Sequence, residues 1–492
     1  METKKIVLAL TIGIVCVTFH SCKKLVDVKG PETSLSSKDI YDNDETATGS
    51  ITYLYANLSG INMAGLTMPG EFSTLSCIGS LSADELVYES TLGGSSLSDY
   101  FQNSLSAMNT GGASDYWNIN FTNMFSVNAA LEGLTASKNL TLGVKKQLMG
   151  EARFMRAFYY FYLVNLYGDI PLVLNTDYTA NALIAKSSKD KVYQQIISDL
   201  KEAQNLLNVQ YVKADGISVY STGMIERVRP TKWAATALLA RTYLYLKDWS
   251  NAEMQASAIL ANNMMFHLES IDKVFLKNNA EAIWQLQPTR RGDNTHDATT
   301  FVLGNTGPSY NNPVYLNDEL VNNFEVNDQR KVSWIGSVNA NGVVYHFAYK
   351  YKVIHSSNAN APVTEYSTVM RLAEQFLIRA EARAQLEDLS GAISDVDEIR
   401  RRAGISLIKN VNPRISKSDL LALILRERKQ ELFTEWGHRW LDLKRTGKID
   451  EIMSLVTPKK ANGAVWKSYY QYYPIFTGEL QANPNLEQVQ GY

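Results

Sequence analysis

The sequence predicts a mostly α-helical protein of paired helices, with long irregular insertions and one small β-hairpin. Three observations carry that expectation. Apolar residues recur at three- and four-residue steps through a series of segments between residues 45 and 435. Small residues repeat at one spacing in two of the resulting helix pairs. One stretch, from Val332 to Val353, alternates with period two instead.

The elements follow in order. Lys4 and Lys5 precede a charge-free, mostly apolar run of 14 residues, Ile6 to Phe19. That is a signal-peptide length, whereas a membrane-spanning helix needs about 20 residues. The run ends in Ser21-Cys22, which resembles a bacterial lipobox. The resemblance implies cleavage before Cys22 and lipid on its sulfur. Residues 1–21 are then a signal peptide and 22–44 a lipid-anchored tether. Two or more acyl chains hold a protein stably at a membrane.

From residue 45 to 492 a single domain is expected. Glu45–Leu58 and residues 114–136 fit helices. Residues 59–100, rich in Gly, Ser and Thr, read as an insertion in loop form. Val144–Leu166 is strongly amphipathic and stops at Gly168, with Pro171 beyond it. Lys189–Leu207 is a further helix. Pro230-Thr231 opens one to Tyr245, and Ser250–Asn262 is its partner. Val369–Leu386 pairs with Gly391–Ala403, and Lys417–Glu435 follows. Ala240 is followed twelve residues on by Ala252, and Ala380 by Ala392. That spacing lets two helices approach closely, as in tetratricopeptide repeats. The fold class is therefore mostly α: tetratricopeptide-like hairpins within 144–262 and 369–435, forming a right-handed scaffold.

A second insertion, about 284–353, breaks the helical trend. Residues 288–317 read as a long polar loop, of a length that is usually functional. Asn341-Gly342 is a hairpin turn signal. After it Tyr345, Phe347, Tyr349 and Tyr351 share one strand face, which reads as core. The tail from Tyr469 to Tyr492 reads as extended and irregular.

Composition narrows the function. The chain has 492 residues, 48 Lys+Arg against 50 Asp+Glu, and 45% hydrophobic residues. The balanced charge argues against nucleic acid and against a polybasic membrane binder. The hydrophobic content argues against disorder. After residue 21 only Cys22 and Cys77 remain. With Cys22 acylated, Cys77 has no partner, and a Cys-rich zinc site is excluded.

Several blocks resemble the RagB/SusD family of outer-membrane nutrient-uptake lipoproteins. They are Gly150-Glu151-Ala152-Arg153-Phe154 with Leu166-Tyr167-Gly168-Asp169-Ile170-Pro171; Arg229-Pro230-Thr231-Lys232 with Ala240-Arg241; Arg371-Leu372-Ala373-Glu374 with Ala380-Glu381-Ala382; Glu427-Arg428 with Gly437-His438-Arg439-Trp440; and Pro474-Ile475 with Asn483-Pro484-Asn485-Leu486. The resemblance implies a cell-surface lipoprotein that sits on a SusC-like TonB-dependent transporter. Members capture nutrients, most often glycans, without cofactors. Their ligand residues lie in variable loops, so none transfers by motif.

Sugar binding needs flat aromatic faces and hydroxyl-pairing groups. The candidates are aromatics in polar, loop-like sequence: Tyr88 and Tyr100 around the Gly/Ser stretch, Tyr310 and Tyr315 flanking Asn311 and Asn312, and Trp334 by the hairpin. Arg291 is a further polar partner. Trp436, Trp440, Trp233 and Trp249 read as packing, and Arg153, Arg156, Glu427 and Arg428 as structural ion pairs or caps. No nucleophile elbow, His-Glu-x-x-His or phosphate loop is present. Asp42-Asn43-Asp44-Glu45 lacks the glycine and distal Glu of a calcium loop. The reading is a non-catalytic glycan-binding lipoprotein. A peptide or other ligand, and a surface glycoside hydrolase, are the alternatives.

Overall fold

The computed structural model describes residues 37–59, 75–94, 96–108, 113–221, 223, 225–356, 358–460 and 463–492. The signal segment, Cys22 and most of the tether lie outside the described residues, as do residues 60–74 of the first insertion.

The helices Ala113–Ala136, Leu142–Tyr167, Lys189–Leu206, Lys232–Tyr245, Trp249–Leu260, Leu372–Gln385, Leu389–Ala403 and Lys417–Leu432 form the scaffold, each packing on the next. The mostly helical, tetratricopeptide-like architecture expected from the sequence is the one observed. Leu142–Tyr167 is buried along most of its length and ends at Gly168, whose φ of +80° is the left-handed region that glycine tolerates.

The two alanine-spaced pairs share more than their alanines. Ala240, Ala252, Ala380 and Ala392 are all fully buried. In each turn one residue has positive φ, Lys247 (+59°) and Glu387 (+69°). The next residue caps the second helix: Asp248 accepts from Asn251 N at 3.2 Å, and Asp388 from Gly391 N at 2.9 Å. The backbone closes identically, Asp248 N donating to Tyr243 O and Asp388 N to Arg383 O, both at 2.9 Å. The same hairpin thus occurs twice. Thr231 caps its helix through a bond from Trp233 N at 3.2 Å. Pro230 therefore precedes the cap and does not open the first turn.

Three expectations need correction. Residues 369–371 are not helical: Ser367–Arg371 is a strand, paired with the fully buried strand Ala282–Leu286. A short apolar run buried on both sides reads the same for strand and helix. Second, much of the described part of 59–100 is not loop. Leu75–Ser82 is a wholly buried helix, Leu86–Tyr88 a strand and Ser96–Gln102 a helix. Gly79 lies so close to Gly437 that a Cβ there would sit 2.6 Å from the Gly437 Cα. The serines and glycines of Leu75–Ser82 permit close approach; they do not mark irregularity. Third, the polar loop 288–317 contains the helix His296–Phe301 and the strand Val314–Leu316.

The hairpin forms as expected. Ile335–Ala340 pairs with Val343–Ala348, and Ala340 faces Val343 across Asn341-Gly342. Both turn residues have positive φ, +53° and +84°, as a two-residue hairpin turn requires.

A buried charged core fastens the insertions to the helices. Arg371 pairs with Glu281 at 2.9 Å, Glu431 at 2.5 Å and Glu435 at 2.8 Å. Arg330 pairs with Asp328, Glu427 and Glu431, and Arg402 bridges Glu281 and Glu431. Lys350, at the foot of the hairpin, donates to Glu431 O and Phe433 O at 2.8 Å and to Glu435 Oε1 at 2.5 Å. Such charges survive burial because each is paired several times over. The helix-block charges are structural too: Arg156 binds Asp199 at 2.7 Å, and Arg428 binds Asp442 at 2.7 Å.

Candidate functional site: an aromatic platform on the two insertions

The two insertions meet each other. Leu86–Tyr88 pairs antiparallel with Val314–Leu316, placing Val87 opposite Tyr315. Bonds from Glu89 N to Pro313 O (2.8 Å) and Asn317 N to Glu85 O (2.9 Å) extend the contact at both ends. In Leu86–Tyr88 the pleat turns Leu86 and Tyr88 inward and Val87 outward.

On the outer side Tyr315 stands edge-on to Tyr345 of the hairpin, ring centroids 5.1 Å apart at 83°. Both rings are half-buried. Gly307 lets the preceding loop lie against this pair: a Cβ there would approach Ala340 Cβ at 3.0 Å and the Tyr345 ring at 3.3 Å. Burial, with the Glu89 charge second, pushes the Tyr315 phenol up to about 12. It therefore stays a neutral hydroxyl at physiological pH.

Tyr310 projects from the tight turn 309–312, which is closed by reciprocal 3.0 Å backbone bonds between Ser309 and Asn312. Its ring is 77% exposed. Asn311 beside it is exposed. Asn312 holds the turn down, its Nδ2 donating to Thr299 O at 2.5 Å. Thr299 in turn accepts from His355 N at 3.0 Å, and His355 Nδ1 lies 2.7 Å from Asp293. The stretch 293–355 thus carries an exposed phenol, a half-buried aromatic corner, and amide, hydroxyl and imidazole groups around the 309–312 turn, while Asp293, paired with His355, is buried. Flat rings suit the C–H face of a sugar, and the polar groups around the turn suit its hydroxyls.

The sequence candidates divide. Tyr310, Asn311, Asn312 and Tyr315 lie on this one segment, the first two exposed and the others half-buried. Arg291 is exposed in the loop beside Asn358, where Gly292 takes a φ of +80°. Tyr88 is buried, its hydroxyl donating to Gly93 O at 2.8 Å. Tyr100 is fully buried against Tyr473, with centroids 5.2 Å apart. Trp334 is fully buried as well; its indole N–H donates to Ile271 O at 2.9 Å. Lys350, Arg371 and Arg402 lie 5.0, 5.9 and 5.8 Å from its ring. These three rings offer no face to a ligand.

Tyr345, Glu89, Thr299 and the Asp293–His355 pair escaped the sequence reading. Period-two alternation places Tyr345 on the core face of its strand. Phe347 and Tyr351 are buried as expected, but Tyr345 and Tyr349 are half-exposed, and the strand ends at Ala348. Among the described residues no three His, Cys, Asp or Glu side chains converge as a metal site. The acidic run 42–45 is engaged otherwise: Asn43 caps its helix by accepting from Thr46 N at 2.9 Å, and Asp44 accepts from Thr141 N at 2.9 Å.

Comparison with known proteins places the chain. The SusD family model matches residues 336–492, and a second model, described as starch-binding and associating with the outer membrane, matches 80–244. The chain belongs to the SusD/RagB family. A SusD-like protein of Formosa agariphila, P38, is 24% identical over 99% of this chain and 98% of its own. A SusD superfamily crystal structure from Bacteroides vulgatus has a TM-score of 0.76 at 20% identity, covering 92% of this chain and all of that one. A laminarin-binding SusD-like protein has a TM-score of 0.73 at 21% identity, covering 92% of this chain and all of its own. Within the SusD/RagB chain, the matched spans take in the helices up to residue 244, most of the hairpin and the part of the charged core from Lys350 to Glu435, but not Glu281, Asp328 or Arg330. The residues of the Tyr310 turn lie between the two matched spans.

Proposed function

We propose that the protein is a non-catalytic, cell-surface glycan-binding lipoprotein. It captures an oligosaccharide or polysaccharide on the Tyr310–Tyr315–Tyr345 platform and passes it to a SusC-like TonB-dependent transporter in the outer membrane. Cys22 carries the lipid, residues 22–44 are the tether, and 45–492 act as one domain. Tyr310, 77% exposed, and the Tyr315–Tyr345 corner, both on the insertion 284–353, carry the proposal. A binder needs such a surface, whereas a glycosidase needs two carboxylates facing one bond. The laminarin-binding neighbour supports a glucan among the ligands to be tried first.

Affinity electrophoresis against a polysaccharide panel that includes laminarin and starch is the test. Retardation by at least one glycan, lost in Tyr310→Ala with Tyr315→Ala, is the expected result. Retardation unaffected by that double change would place binding elsewhere. Reducing-sugar release by the purified protein would overturn the non-catalytic part. Cys22→Ala should move the protein from the membrane to the soluble fraction, and a complex with the cognate transporter should form without added sugar.

A further inference from the structure

A carboxylate from the first insertion stands beside the aromatic corner of the second. Antiparallel pairing sets Val87 opposite Tyr315, and residues opposite each other share a face of the ladder. Val87 turns outward, so Glu89, two residues on and still extended, belongs to the same outer face as Tyr315. Its backbone N–H, bonded to Pro313 O at 2.8 Å, fixes it at the foot of the 309–312 turn. A diagonal pair of this kind is about 7–8 Å apart at the backbone, within reach of a ring and a long side chain. The Glu89 charge raises the Tyr315 phenol, after burial as the first cause, and the Asp318 charge adds to it.

One oxygen of Glu89 is committed. Oε1 accepts from Thr91 N at 3.2 Å and from Thr91 Oγ1 at 2.7 Å, which caps the short turn Ser90–Leu92 and holds the carboxylate in place. Among the described residues Oε2 has no hydrogen-bond partner and Glu89 no ion pair, and the side chain is half-buried. Asp318 is exposed and also in no ion pair among the described residues, whereas Glu319 beside it takes Lys459 at 2.6 Å. Two carboxylates without a paired base thus border the Tyr315–Tyr345 corner. A fixed carboxylate accepts strongly from hydroxyls. An unbalanced charge rejects a ligand of its own sign.

We propose that Glu89 is a specificity-determining residue of the platform, accepting from the hydroxyls of a neutral glycan and excluding glycans that carry uronate or sulfate groups. This rests on the glycan-binding reading of the Tyr310–Tyr315–Tyr345 surface. It adds a division of labour: the second insertion supplies the rings and the first supplies the selectivity. A neutral sugar laid against the corner presents hydroxyls at its ring edge, where Oε2 can receive them. A carboxylate or sulfate in that place would meet Glu89 with no base beside it.

Affinity electrophoresis of the mature chain in laminarin, starch, xylan and mannan, and in their carboxymethyl derivatives, tests this. At low salt the parent should be retarded by at least one neutral polymer and not by its derivative. High salt should restore part of the retardation by the derivative, because screening weakens repulsion between exposed charges. Glu89→Gln keeps a carbonyl oxygen for Thr91 and removes the charge. It should weaken retardation by the neutral polymer about three- to tenfold, since charge-assisted hydrogen bonds are roughly twice as strong as neutral ones. It should also admit the derivative at low salt, with the parent's melting temperature. Unchanged neutral retardation in Glu89→Gln, or continued exclusion of the derivative, would overturn the role of Glu89 while leaving the platform standing. Exclusion from the parent that high salt leaves untouched would be steric and overturns it too, as does equal retardation of the parent by polymer and derivative. Retardation by no polymer, or retardation that survives Tyr310→Ala with Tyr315→Ala, would overturn the platform itself and the role of Glu89 with it.

Discussion

Replacing Trp334 by Ala separates a core residue from a ligand residue. The indole is fully enclosed, and Ile271 O receives its N–H at 2.9 Å. Emptying a buried Trp site costs about 3–5 kcal/mol. Orphaning the Ile271 carbonyl adds about 1 kcal/mol or more. The loss of a ring with three cations within 6 Å acts in the same direction. A total of about 5 kcal/mol is reasonable. Unfolding entropy is about 2.1 cal/mol/K per residue, or about 0.9 kcal/mol/K over roughly 450 residues. The melting temperature should therefore fall by about 5 °C in scanning calorimetry. Polysaccharide retardation of the folded variant should match the parent. A variant that melts normally but binds glycan poorly would refute the placement of Trp334 in the core. It would also reinstate the expectation that a Trp near the hairpin contacts sugar.

Other perturbations have defined outcomes. Tyr310→Ala or Tyr315→Ala should weaken glycan affinity by about 1–3 kcal/mol in isothermal titration, the range for removing a large aromatic contact, with the melting temperature nearly unchanged for Tyr310. Glu431→Gln removes a carboxylate shared by Arg330, Arg371 and Arg402 and should destabilise by about 3–5 kcal/mol in urea unfolding. Lys448→Ala breaks only the solvent-exposed pair with Glu451 and should stay within about 0.5 kcal/mol. Burial lowers the His438 imidazole to about 4, against 6.5 in an unfolded chain. Between those values the unfolded state binds the extra proton, so this contribution is intact above pH 6.5 and is lost as pH falls towards 4. In melting-temperature profiles His438→Gln should flatten that part of the curve. An unchanged slope would mean that another group dominates it.

Legibility in the sequence followed the physics of each element. Amphipathic helices such as Leu142–Tyr167 and Lys189–Leu206 declared themselves through period and stop signals, to within a residue or two. The hairpin turn was legible because only Asn-Gly-like pairs accept positive φ twice in succession. The buried strand Ala282–Leu286 and its partner were not, because burial on both sides erases alternation. Helix Leu75–Ser82 was hidden by its own serines and glycine, which serve close packing under Gly437. At the site, local polarity was a poor guide to exposure. Trp334 lies four residues from Arg330 on one inward helical face, and both are fully buried: Glu427 and Glu431 of the helix Lys417–Leu432 meet Arg330, and Lys350, Arg371 and Arg402 lie against the Trp334 ring. Tyr100 sits between buried neighbours Leu97 and Phe101 on a helix read as loop. The exposure of Tyr310 was legible because a tight polar turn has no inner face to bury its side chain in.

The charged core explains how two insertions distant in sequence are held rigidly together, with the Tyr310, Tyr315 and Tyr345 rings all on the second. In the first insertion the helices Leu75–Ser82 and Ser96–Gln102 pack on each other, whereas the second carries only short helices between its strands. The strand pair 86–88 with 314–316 offers three residues a side, too few to be stable alone. What holds them is reach. Lys350 extends from below the hairpin to two carbonyls and a carboxylate at the end of the helix Lys417–Leu432. Asp84, just before the first strand, receives Lys429 and Arg439 from either side of the same corner, at 2.8 and 2.7 Å. Both insertions are thus tied to residues 429–439, one through an acid and the other through a base. The anchoring groups lie well inside the protein, whereas Tyr310, Asn311 and the Tyr315–Tyr345 corner lie beyond them. Side chains on that outer rim can therefore differ without disturbing the ties.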